Sequence, residues 1–489
     1  MKTLSLRTCV VFAAAAFFAT PVFAQFSNFT PLPTSAGPTA NEATPITFGN
    51  PGFTQVSIAD RATQIAANKP NSGAWDMITL NETGRDAGRY LLTVFETSSS
   101  GVQRQDLLTG VTETIWQSPG VAPALDSHVA FDASYWTPWG TYITAEESWS
   151  TAANGSNSPY GRLFEFKNPI SAPGILNPVT PASNAGADFT HKNVIPRTSH
   201  EGIQFDAAGN MYFIDELNGG NVYRYTTAAN YADVLAGTAD YFLAGTTSVL
   251  RVGDGNTPNA TGSFSWVPFT DATGAALAGA LTITDLNGVM SVDARNTTNL
   301  APFKGTDYQR PEDLQIQVRA DGDEIIYMTT TTTNEIYAIN ITDAMISVFA
   351  NTSTNDLATN LAVGGGNSGL ASPDNLAIDS LGNIYIIEDR NGGVDNDIWF
   401  ANDLNKDGDL LDAGEGIGRW ASNGTPGSEF TGLYFDPFNP DRAWVNIQHP
   451  TSGVDRTIEI AVPEPSTFIL AAIGAAGLGL LGLRRRLVK

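Results

Sequence analysis

The chain has 489 residues, 42% hydrophobic and 10% aromatic, enough to bury a large core. Only 16% of residues are charged, against 47 glycines and 27 prolines, and Thr-, Val-, Ile- and Tyr-rich runs alternate with turn residues, which favours an all-β fold over long amphipathic helices. A net charge of −24 excludes a basic footprint for nucleic acid, and the single cysteine, Cys9, excludes a disulfide framework.

Lys2 and Arg7 precede an apolar run from Cys9 to Thr20, and Pro21-Val-Phe-Ala24 follows. This order predicts a signal peptide over residues 1–24, cleaved after Ala24, with export by the Sec route because no twin arginine is present. Cleavage would remove Cys9, leaving no thiolate ligand and no cysteine nucleophile. Residues 25–70, rich in Pro, Thr, Ala and Asn, read as a loosely ordered lead-in. Short β-runs then continue without an obvious linker to residue 461, so residues 71–461 read as one large domain.

The clearest run is Ser372 to Arg390. Leu376, Ile378, Ile384, Ile386 and Ile387 are apolar β-formers, and Ser380-Leu-Gly-Asn383 is the turn. A hairpin brings its two ends to one edge, so Asp374 and Asn375 face Glu388 and Asp389. The stretch His200 to Glu216 overlays on it: Glu201 falls on Asp374, Asp206 on Asp379, Gly209 on Gly382 and Tyr212 on Tyr385. Looser copies begin at Trp75, His128, Arg310 and Glu429, making six hairpins. Repeated hairpins without helices predict a β-propeller, six-bladed, with polar strand ends converging on one channel mouth. The alternative, a β-sandwich, does not explain acids recurring at the same strand ends.

The carboxylates suit hard divalent cations, Ca²⁺ foremost. A second cation site is read at Asp403-Leu-Asn405-Lys-Asp407-Gly-Asp409, the front half of an EF-hand-like loop with Gly408 at the sharp turn. The twelfth-position Glu is missing, and the alternative is a solvated acidic turn. His200 is a candidate general acid; His128 and His191 have no zinc spacing, and His449 reads as closing the last hairpin.

Residues 462–489 contain Pro463-Glu464-Pro465, an apolar run and Arg484-Arg-Arg486. This resembles the PEP-CTERM sorting signal. The resemblance implies an exosortase-type protease reading Pro463, Glu464 and Pro465, transient inner-membrane anchoring by the apolar helix, and delivery to the cell surface, outer membrane or exterior. Extracellular polysaccharide is then a possible neighbour. An ordinary single-span tail anchor is the alternative.

Trp139-Gly-Thr-Tyr-Ile-Thr-Ala-Glu-Glu147, His200-Glu201, Arg310-Pro-Glu312, Pro373-Asp-Asn375, Glu429-Phe-Thr-Gly432 and Val445-Asn-Ile-Gln-His-Pro450 together resemble the PhoX alkaline phosphatase (DUF839) family. The resemblance implies a six-bladed propeller that hydrolyses small phosphate esters at a mixed iron–calcium site. Its metal ligands would be Glu146 or Glu147 of the Glu-Glu pair, Glu201, Glu312 and Asp374, with the Asn375 amide beside them, and Arg310 would hold phosphate. Where the family carries an iron-ligating cysteine this chain has Ala145, which counts against Fe³⁺ and points to Ca²⁺. The reading is an exported, calcium-dependent phosphoesterase in which metal-activated water attacks a phosphate ester. Competing readings are a non-catalytic, calcium-stabilised surface or matrix propeller and a lactonase-like calcium propeller.

Overall fold

Each predicted hairpin forms the first two strands of an antiparallel four-stranded meander in the computed structural model, which describes residues 25–148, 158–176, 188–390 and 396–463. Blade 1 comprises Trp75–Leu80, Tyr90–Phe95, Gly101–Asp106 and Thr112–Gln117. Blade 2 comprises Phe131–Trp136, Tyr142–Glu146, Leu163–Phe166 and Phe189–His191. Blade 3 runs Ile203–Phe205, Met211–Ile214, Val222–Thr227 and Gly245–Val252, then adds Gly262–Pro268. That fifth strand also pairs with the edge of blade 4, which comprises Pro311–Val318, Glu324–Thr330, Glu335–Asn340 and Met345–Ala350. Blade 5 comprises Pro373–Ile378, Ile384–Glu388, Asp397–Asn402 and Gly416–Asn423. Blade 6 comprises Glu429–Phe435, Arg442–Gln448 and Arg456–Ala461.

The first strand of every blade touches the first strand of the next, and Glu429–Phe435 packs on Trp75–Leu80, so the circuit closes. This is the architecture of a β-propeller around a central channel. Apolar side chains fill the gaps between neighbouring blades: Met77, Leu92 and Val102 of blade 1 share a cluster with Phe131, Tyr142 and Phe164 of blade 2. Blades 4 and 5 are joined in the same way by Ile325, Tyr327, Ile384 and Trp399. First strands are enclosed on both faces, which is why Trp75–Leu80 is buried throughout.

The stretch expected as a loose lead-in is instead part of the fold. Thr54–Asp60 pairs with Arg456–Ala461 as the fourth strand of blade 6, so strands from both ends of the domain close the ring. Ile46–Phe48 pairs with Gly416–Asn423 on blade 5. Phe26 is buried edge-on against Phe53, Trp420 and Phe435, and Trp420 Nε1 donates to its carbonyl. The Pro- and Thr-rich composition conceals this because a few well-spaced aromatics and two open sheet edges suffice to dock the segment.

Phe26–Val462 forms one compact unit. The proposed signal peptide, the apolar C-terminal run, Glu464 and Pro465 lie outside the described residues, and Pro463 is the last residue described. Among the described residues no helix is long and apolar enough to cross a membrane.

Candidate active site at the channel mouth

The mouth is built by one backbone device repeated around the ring. Ala74, Ala130, Arg310, Ser372 and Gly427 all have positive φ, and the residue two further on is acidic each time: Asp76, Asp132, Glu312, Asp374 and Glu429. In blade 3, Glu201 stands two after Ser199. Four of these acids, Asp76, Asp132, Glu312 and Asp374, sit where the pairing of the first two strands slips. A bulge of this kind re-aims a side chain out of the ladder, and here the aim is into the channel. Left-handed backbone is unfavourable for Ala, Ser and Arg, so the surrounding ring must hold it.

The second strand of each hairpin closes on the same residue. Glu96, Glu147, Glu216, Thr331 and Asp389 donate their N–H groups to the carbonyls of Ala74, Ala130, Ser199, Arg310 and Ser372, at 2.7–3.0 Å. Each blade thus delivers two side chains to one edge, and Gln448 supplies the second from blade 6. The resulting cavity holds about 80 Å³ and is lined by ten carboxylates: Asp76, Asp132, Glu201, Glu312, Asp374 and Glu429, with Glu96, Glu147, Glu216 and Asp389.

Arg310 is the sole guanidinium lining this mouth among the described residues. Its Nε lies 2.8 Å from Glu312 Oε1, and its Nη2 lies 2.8 Å from Glu216 Oε1. Burial opposes its charge, but Glu312 and Glu216 more than compensate and push its pKa up. The carboxylates are pushed up as well, which in their case favours the neutral form. Burial first, then neighbouring charge, raises Glu96, Glu147 and Glu312 to about 8. Burial and the charges of Asp374 and Glu312 raise Glu201, and burial and Glu312 raise Asp374. Glu429 is pushed to about 12 by burial and Asp389.

The structure brings Glu147, Glu201, Glu312, Asp374 and Arg310 together at this mouth. One oxygen each from Glu201, Glu312 and Asp374 lie within 4.8 Å of one another. Asn375 lies just below: its Oδ1 accepts from Gly432 N at 2.7 Å, and its Nδ2 points at Glu201 Oε1 at 3.4 Å. It braces the floor and the acid above it. Glu388, by contrast, turns inward and accepts from Ala371 N and Trp399 Nε1.

Two expectations need correction. Glu146 does not face the mouth. It is wholly buried, and its carboxylate takes Arg162 Nη2 at 2.6 Å, Arg162 Nε at 2.9 Å and three backbone N–H groups. Burial would raise its pKa, but the Arg162 charge and hydrogen bonds hold it below the usual range. Neighbours on a strand point to opposite faces, so only one of Glu146 and Glu147 can enter the channel. His200 is also enclosed, beside Phe213 and away from the mouth, and burial followed by the charges of Arg295 and Arg197 pushes its pKa down to about 3. It therefore does not serve as a general acid to anything bound in the mouth.

Sequence reading missed Asp76, Glu96, Asp132, Glu216, Glu429 and Gln448 as site residues; Asp389, which it set opposite Asp374, does line the mouth. It also missed His449, whose half-exposed ring sits at the rim with Nε2 3.6 Å from Glu429 Oε1.

The donor set fits hard cations. Asp132 Oδ1, Glu201 Oε2 and Glu429 Oε2 are buried with no hydrogen-bond partner, so these oxygens need a cation or a proton. Apart from His449 and Arg310, the mouth offers oxygen and amide groups, the chemistry of calcium and other hard ions. Ala145 is fully buried in an apolar cluster with Ala133, Ile143 and Leu163, so position 145 contributes no ligand. The Asp403–Asp409 loop lies between the two outer strands of blade 5. Asp403 accepts from Asp407 N and Gly408 N, and Asn405 Nδ2 spans Asp407 and Asp412.

A family model described as alkaline phosphatase PhoX matches residues 133–451, more than half of the chain. The PEP-CTERM protein-sorting motif matches residues 461–486. Among solved structures, Pseudomonas fluorescens PhoX in complex with vanadate, a transition-state analogue, is 15% identical, with a TM-score of 0.58 over 88% of this chain and 97% of that one. A Xanthomonas campestris gluconolactonase is 12% identical, with a TM-score of 0.41 over 88% and 99%. A Streptomyces coelicolor aldose sugar dehydrogenase is 12% identical, with a TM-score of 0.34 over 84% and 98%. The likeness to PhoX shows a shared fold. A search among curated protein sequences gives no match.

Proposed function

The chain belongs to the alkaline phosphatase PhoX family, a family of phosphoric ester hydrolases, and on that premise we propose that it is an exported, calcium-dependent phosphoesterase acting at the acidic channel mouth. One observation carries this reading: a single arginine is held between two glutamates inside a ring of ten carboxylates. Such a ring is electrostatically incomplete alone, and an anion enters it only with cations.

Asp76, Asp132, Glu201, Glu312, Asp374 and Glu429 would hold the ions, with Glu147 beside them. Calcium held there would supply charge neutralisation for the phosphoryl oxygens and lower the pKa of the attacking water. Arg310 offers a planar fork to a phosphate, and the left-handed backbone at Arg310 directs that fork over the mouth. Water adds to phosphorus, the ester P–O bond breaks, and an alcohol and inorganic phosphate leave. Asn375 keeps Glu201 and the first strand of blade 6 in place during this exchange.

The sorting motif supports export and delivery to the surface. Sec passage, cleavage after Ala24 and processing by an exosortase-type protease complete that route. We assign the Asp403, Asn405, Asp407 and Asp409 loop to a separate calcium that stiffens the edge of blade 5.

Hydrolysis of an aryl phosphate at alkaline pH, with Ca²⁺, Fe³⁺, Mn²⁺ or Zn²⁺ added in turn, tests the reading. Turnover with calcium is expected. No turnover with any of the four metals would overturn it.

A further inference from the structure

The first strands that carry the mouth acids also wall a second cavity, nearer the opposite end of the channel. It holds about 300 Å³ and takes residues from all six blades, among them Met77, Ile203, Leu376 and Leu433. These four side chains are buried and apolar. Tyr135 and Tyr434 line the same cavity, and so does Glu82, whose Oε1 accepts from the Tyr434 hydroxyl. The other carboxylate there, Asp313, is committed to the N–H groups of Leu314 and Leu376. No Lys, Arg or His lines this cavity among the described residues.

The space suits a small molecule. Its chemistry is an apolar floor, three aromatic rings (Tyr135, Tyr434 and Phe435), and Glu82, a carboxylate with no basic partner in the lining. A phosphate or other anion is disfavoured, because Glu82 and Asp313 repel it and nothing cationic receives it. A neutral apolar ligand makes no use of Glu82, which has the Tyr434 hydroxyl but no cationic partner in the lining. An alkylammonium ion satisfies all three features at once, since its methyl groups cover apolar surface, the aromatic rings are favourable neighbours for its charge, and Glu82 is its counter-ion.

We propose that this cavity, defined by Glu82, Tyr135 and Tyr434 over an apolar floor, is a binding site for a small organic ammonium ion of about choline size. It is separated from the mouth by the Asn375–Gly432 contact and does not depend on phosphoesterase activity. Gly432 keeps that partition thin: its φ is +59°, and a Cβ there would lie 2.7 Å from Ile78 N.

Calorimetric titration of the full chain, saturated with calcium, with choline and with its uncharged isostere 3,3-dimethylbutan-1-ol tests this. Saturable binding of the cation is expected, with the alcohol binding at least ~10-fold more weakly. Glu82→Gln should weaken the cation by ~10-fold, and Tyr135→Leu by ~3-fold or more, whereas Glu96→Gln in the mouth should leave it unchanged. If Glu82→Gln does not fold, Tyr135→Leu carries the test. Absence of saturable binding, equal binding of the alcohol, or loss in Glu96→Gln with retention in both cavity variants would overturn the proposal. A protein that binds the cation but hydrolyses no phosphate ester leaves it standing.

Discussion

Arg310 Nε lies 2.8 Å from the Oε1 of Glu312, two residues further along the same chain. Left-handed backbone at Arg310 and a bulge at Glu312 place both side chains in the mouth, so the cation and a candidate metal ligand are set by one short segment. Arg310→Lys keeps a charge but loses the planar fork. We expect the KM for an aryl phosphate to rise by ~10-fold or more, because a single charged hydrogen-bonded contact contributes about 1.5–3 kcal/mol, with the folded protein's melting temperature little changed, because the retained ammonium still neutralises Glu216 and Glu312. Steady-state kinetics beside a thermal melt checks both halves.

Calcium should stabilise the fold. A cation that binds the native ring and not the unfolded chain adds about 2.7 kcal/mol at a hundred times its dissociation constant. Melting in excess calcium should therefore occur several degrees above melting in EDTA. Identical curves would mean that the ring does not collect the ion.

In the metal-free protein, stability should fall as pH rises from about 4.5 to about 8. Glu96, Glu147 and Glu312 have folded pKa values raised from 4.5 to about 8, by burial first. Between those limits the folded state binds more protons than the unfolded one, so each of the three opposes folding increasingly as it is stripped of its proton. Calcium replaces the protons and should flatten the slope. Melting temperatures in EDTA and in calcium at pH 5, 6.5 and 8 give the comparison.

Glu146 and Glu147 are adjacent in sequence and should fail in different ways. Glu146→Gln leaves Arg162 buried with its main counter-ion removed, which costs about 3–5 kcal/mol. Glu147→Gln removes one negative charge from the crowded mouth. It should leave the melting temperature in EDTA unchanged or raised, while lowering calcium affinity and turnover.

The repeat was readable because its turns are local. Asp206 accepts from Asn210 N, Asn210 Nδ2 and the Tyr212 hydroxyl, and Asp379 accepts from Asn383 N, Asn383 Nδ2 and the Tyr385 hydroxyl, so the overlay of these turns reflects one hydrogen-bonded motif. The mouth was only partly readable. Glu312 and Asp374 stood out beside prolines, and Glu201 followed from the overlay. The looser copy that begins at His128 gives no sign of Asp132, which is the second residue of the strand Phe131–Trp136. It is aimed by Ala130, whose left-handed backbone nothing in its chemistry announces. Asp76 and Glu96 belong to the same device in blade 1, where an alanine again hides the turn. Glu216 falls two residues beyond its strand, and only the closing bond to Ser199 relates it to Glu96 and Glu147. The docking of residues 26–60 was hidden for another reason, since its partners lie some 390 residues away.

The measurement that bears most directly on the mouth as a metal-dependent hydrolytic centre is aryl phosphate turnover across a calcium titration, run in parallel on the unaltered chain and on Glu312→Gln. Turnover that rises with calcium and saturates in the unaltered chain, and that is ~10²-fold or more lower in folded Glu312→Gln, is the predicted result. Equal turnover in the two proteins, or turnover indifferent to calcium, would contradict it.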